Sequence, residues 1–97
     1  MPSSSRPSRA SPGEQARYRR LGALLARYVS ALTIAAVLRT ARSHRGLQEE
    51  AVTVAELPEL VEECMKGLRV FCAPERLPAL MLELADFCEH EALDTGA

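Results

Sequence analysis

From Gly13 to Ser43 the chain runs without a proline, and Ala, Leu and Arg, all strong helix formers, dominate it. Within that run Tyr18, Leu21, Leu25, Tyr28, Leu32 and Ala35 recur at alternating spacings of three and four. This is the signature of one face of a helix. Leu24, Val29, Ala36 and Val37 widen the stripe. Both ends are punctuated. Ser11-Pro12-Gly13-Glu14 offers a capping serine, a proline suited to the first helical position and a glutamate three residues after the cap. His44-Arg45-Gly46 places basic residues at the negative end of the helix dipole, with a glycine to cap it. The pattern predicts one helix over about 13–44, roughly 45 Å long at about 1.5 Å per residue.

Two shorter helices follow in the pattern. The first spans 57–72, with Leu57, Leu60, Val61, Cys64, Leu68 and Phe71 on its apolar face and Glu59, Glu62, Glu63, Lys66 and Arg69 opposite. Pro74 ends it. The second spans 74–92, with Leu77, Leu80, Met81, Leu84, Phe87 and Cys88 inward. The tight connection at Ala73-Pro74 predicts an antiparallel hairpin. Leu57-Pro58-Glu59-Leu60 and Leu77-Pro78-Ala79-Leu80 echo one another. Two copies are too few for a repeat architecture, and two amphipathic helices with a proline in the first turn account for them. Residues 47–56 connect the long helix to the hairpin. Val52-Thr53-Val54 suits a short extended piece, and Thr53 with Glu56 suits a capping box. Residues 1–12, rich in Ser, Pro and Arg, read as a disordered basic tail. The expected fold is all-α: a long N-terminal helix and a C-terminal antiparallel helical hairpin, a three-helix bundle in one domain over 13–97.

At 97 residues the chain has room for one small domain. Its net charge of −1 conceals a division. Residues 1–45 carry nine Arg against the single acid Glu14, a charge of +8. Residues 46–97 carry Lys66, Arg69 and Arg76 against twelve acids, a charge of −9. Three cysteines are too few, and odd in number, for a disulfide scaffold, so they read as reduced thiols of an intracellular, cytoplasmic protein.

The chemistry of a catalytic site is missing. The sequence has no glycine-rich phosphate loop, no nucleophile elbow and no His-Glu metal motif. His44 lies among arginines with nothing in sequence reach to orient it as a base, and His90, between Glu89 and Glu91, reads as part of a solvated helix end. Cys64, Cys72, Cys88 and His90 match no zinc spacing. Cys64 and Cys88 read as small core hydrophobes, and Cys72 as the most exposed of the three. No catalytic residue, cofactor or metal is expected.

The function expected is therefore a small non-enzymatic helical interaction protein: an adaptor, a regulator or a subunit of an oligomeric assembly, partnered by another protein or by its own copies. A 45 Å helix is only half covered by a 25 Å hairpin, and a core this small gives marginal stability alone. Leu21, Leu25, Tyr28, Leu32, Leu60, Leu68, Phe71, Leu80, Leu84 and Phe87 are expected to form the core or contact surface. The first alternative is association with nucleic acid, with Arg17, Arg20, Arg39, Arg42 and Arg45 contacting phosphates or an acidic partner. No aromatic residues interleave with them for base stacking, and the same arginines could instead pair with the Glu-rich half. A second alternative is membrane association through residues 21–38, where Arg27 costs about 2.5–3.5 kcal/mol, roughly what the aliphatic residues return. An organellar transit segment fits the arginine-rich composition, but its cleavage would leave a hairpin too small to fold comfortably.

Overall fold

The computed structural model describes residues 11–94, and these form four helices: α1 Pro12–Leu25, α2 Ala31–Arg45, α3 Leu57–Phe71 and α4 Leu77–Asp94, with a 3-10 turn at Pro74–Arg76 leading into α4. No strand occurs among the described residues. Nearly all of the expected basic tail lies outside them.

The ends of the elements follow the sequence signals. Ser11 Oγ accepts from Glu14 N at 3.2 Å, and the Glu14 carboxylate accepts from Ser11 N at 3.2 Å, a reciprocal capping box with Pro12 in the first turn. Gly46 sits at φ 72°, the left-handed conformation that glycine adopts without a Cβ penalty. Leu47 N donates to Arg42 O at 2.8 Å, so the end of α2 is closed in a Schellman manner. Thr53 and Glu56 form a second reciprocal box, at 3.1 Å in each direction, which shapes the turn before α3.

The long N-terminal helix does not form. It breaks at 26–30, and the bundle has four helices where three were expected. After Leu25 the backbone tightens: Arg27 N donates to Leu24 O and Tyr28 N to Leu25 O, three residues back. Ser30 is extended (φ −72°, ψ 161°), and its hydroxyl accepts from Thr33 N at 3.3 Å to start α2. Partners far along the chain hold the break. Arg76 Nη2 donates to Arg27 O at 2.9 Å, satisfying a carbonyl that the interrupted helix leaves free, and its guanidinium lies 4.5 Å from the Tyr28 ring centroid. The Tyr28 hydroxyl donates to Glu83, and Arg27 pairs with Glu83 at 2.6 Å.

The break resets the helical phase. Ile34, Val37, Leu38 and Ala41 face inward from α2, while Leu32 is 85% exposed. Leu32 therefore is not core. Neither is Phe71, at the end of α3 and 59% exposed. Leu21, Leu25, Leu60, Leu68, Leu80 and Leu84 are buried as expected, with Tyr28 and Phe87 half-buried against them.

Neighbour relations run α2–α3–α4–α1. α2 and α3 pack tightly at Gly67, where a Cβ would meet Val37 Cγ2 at 3.3 Å. The connector docks on α1: Val52 is buried, its N–H donates to Glu14 O at 3.2 Å, and its carbonyl accepts from Arg17 Nη1 at 2.9 Å.

Candidate interaction groove

α3 and α4 part along one flank and leave a groove of about 690 Å³ between them. From α3 it is lined by Pro58, Val61 and Met65, with Glu62, Lys66 and Arg69 along the edge; α4 contributes Met81, Leu84, Ala85 and Cys88. Helical geometry explains why this flank is open. Met65 and Gly67 are two residues apart, so they lie on nearly opposite sides of α3. The Gly67 side meets α2, and the Met65 side is left to the groove. On α4 the inward stripe is Leu77, Leu80, Leu84 and Phe87, and a second apolar stripe runs beside it through Met81, Ala85 and Cys88. Leu82 and Leu93 are also exposed on α4, at 69% and 78%, on the outer line that carries Asp86 and Glu89.

The arginines are distributed differently from a phosphate-binding face. Arg17 is buried, and its Nε donates to Glu91 Oε1 at 2.9 Å. Arg20 joins the same carboxylate at 2.7 Å and 2.9 Å. Arg42 lies over the Tyr18 ring, donates weakly to Gln48 O and reaches Glu50 at 4.0 Å. Arg45 pairs with Glu59. Arg39 is exposed and makes no ion pair among the described residues. His44 Nδ1 lies 3.2 Å from Glu63, which Lys66 also pairs at 3.2 Å. The basic half of the sequence thus folds onto the acidic half, and Arg17 is closed to any outside partner.

Glu91 is the residue that the sequence reading passed over. It is buried on the inward side of α4, and the hydrogen bonds from Arg20 and then Arg17 hold its carboxyl below the usual carboxylate range against the opposing effect of burial. The signal was present: Glu91 falls seven residues after Leu84, on the apolar stripe, and Arg17 falls four before Leu21.

Reactive groups are muted. Burial pushes the Cys64 thiol up to about 12 and raises that of Cys88, with Glu91 adding to the second. Cys72 is buried, contrary to its expected exposure. Among the described residues no group of three or more His, Cys, Asp or Glu side chains is arranged to hold a metal ion. Nor is any of their helices long and apolar enough to cross a membrane, and the break at 26–30 divides the segment 21–38.

No family model matches the chain, and no curated protein or solved structure shows significant similarity to it.

Proposed function

We propose that this protein is a small non-enzymatic interaction protein, an adaptor, regulator or subunit of an assembly, that receives a helix of its partner in the groove between α3 and α4. The observation that carries this reading is the groove itself: a largely apolar channel with methionine on both walls, edged by charge, beside the exposed Leu82 of α4. Two antiparallel helices with an open seam between them suit an amphipathic helix laid into the seam, its apolar face down. Methionine adapts to the shape of such a helix better than branched side chains do. The ion pairs that occupy Arg17, Arg20, Arg42 and Arg45 weigh against the phosphate-binding alternative.

Affinity purification of the full chain from its native host tests the reading. The wild-type chain should retain a stoichiometric protein, and Met81→Asp, a change at a half-exposed groove position, should release it. Equal retention by both would sink the groove as the contact surface.

A further inference from the structure

We propose that the helix occupying this groove is α4 of a second copy of the chain, seated antiparallel to the first α4 about a two-fold axis at Ala85. This rests on the reading of the groove as an interaction surface and specifies its occupant. An isologous contact requires a self-complementary surface, and the charges beside the groove are arranged in that way. Arg69 stands on the α3 edge, while Asp86 and Glu89 stand on the outer side of α4; none of the three makes an ion pair among the described residues.

The register follows from the hairpin. The short connection through Pro74–Arg76 and the shared groove lining imply that α3 and α4 run antiparallel, which would set the Arg69 end of the α3 wall level with Met81 and Lys66 level with Leu84. The α4 wall spans Met81 to Cys88, with Ala85 near its midpoint. A second α4 crossing antiparallel at Ala85 brings its Glu89 level with Met81, and hence with Arg69. Its Asp86 comes level with Lys66. Each basic residue of one copy therefore meets an acidic residue of the other, twice over by symmetry. The small side chain of Ala85 lets the two helices approach at the axis. The same placement turns the exposed Leu82, which lies on the Glu89 side of α4, against the α3 wall of the other copy. Self-association through one pair of helices thereby covers the second apolar stripe of α4.

Sedimentation equilibrium of the full chain under reducing conditions tests this, with circular dichroism confirming that each variant is folded. The wild type should be a dimer at micromolar concentration. Met81→Asp should weaken self-association by about tenfold or more, as should Arg69→Glu and Glu89→Arg singly. Arg69→Glu combined with Glu89→Arg should restore most of it. A wild-type monomer, a dimer untouched by Met81→Asp, or a combined variant no better than the single changes would each overturn the proposal. A monomer that still retains a different protein, lost on Met81→Asp, overturns the second copy and leaves the interaction reading standing. A monomer that retains nothing overturns both.

Discussion

Arg17 and Glu91 lie 74 positions apart and meet inside the protein, each with less than a tenth of its side chain exposed. Removing either one leaves the other charged group partly desolvated with too few partners, a change that costs far more than losing a surface pair. Glu91→Ala should destabilise the protein by about 3 kcal/mol in chemical denaturation. The pH dependence has a definite sign. Folding lowers the pKa of Glu91, so its contribution is present above the unfolded value, about 4.3, and is lost as pH falls through that value toward the folded one. Wild type should lose stability across that acid range, and Glu91→Gln should lose less. A pair of denaturation curves, one at about pH 6 above that window and one at about pH 3 below the unfolded value, checks this. Both residues sit on apolar stripes legible in the sequence. Their pairing was not legible, because periodicity along one helix carries no information about which distant helix faces it.

At the scale of elements, the caps were readable and the break was not. Ser11, Glu14, Gly46, Thr53 and Glu56 act within a few residues of their own positions, so local sequence specifies them. The interruption at 26–30 depends on Arg76 and Glu83, some fifty residues downstream. Ser30, with Thr33 three residues on, is the one local hint. Removing its hydroxyl by Ser30→Ala should cost about 1 kcal/mol. Arg76→Ala should cost a similar amount, through the Arg27 carbonyl and the Tyr28 ring. Leu32→Ala should leave the melting temperature almost unchanged, whereas Leu68→Ala should cost about 2–5 kcal/mol. The close contact of α2 and α3 gives a sharper check. Gly67→Leu should be strongly destabilising, and Val37→Ala should recover part of the loss, since both changes act on the same space.

For the whole molecule, the division into a +8 half and a −9 half proved to describe the fold's own assembly. Arg17, Arg20, Arg27, Arg42 and Arg45 each find a glutamate beyond Gly46. Most of these pairs lie at the surface, where screening acts over about 8–10 Å at moderate salt. Raising sodium chloride should therefore lower the melting temperature by a few degrees at most, leaving the buried pair in place. The uneven charge was plain in the sequence. Whether it met itself or a partner depended on the chain turning back at Ser30, and so could not be read from composition.

The α1–α4 contact has a consequence for how the protein comes into being. A chain still under synthesis has completed α1, α2 and α3 before α4 leaves the ribosome. Until then Arg17 has no Glu91, and the inward faces of α1 and α3 have no Leu80 or Leu84 to cover them. Partial helices can form on the way, but α4 must emerge as far as Glu91 before the core can close. The core therefore closes only once α4 has emerged, and a nascent chain arrested short of Glu91 should remain open to protease.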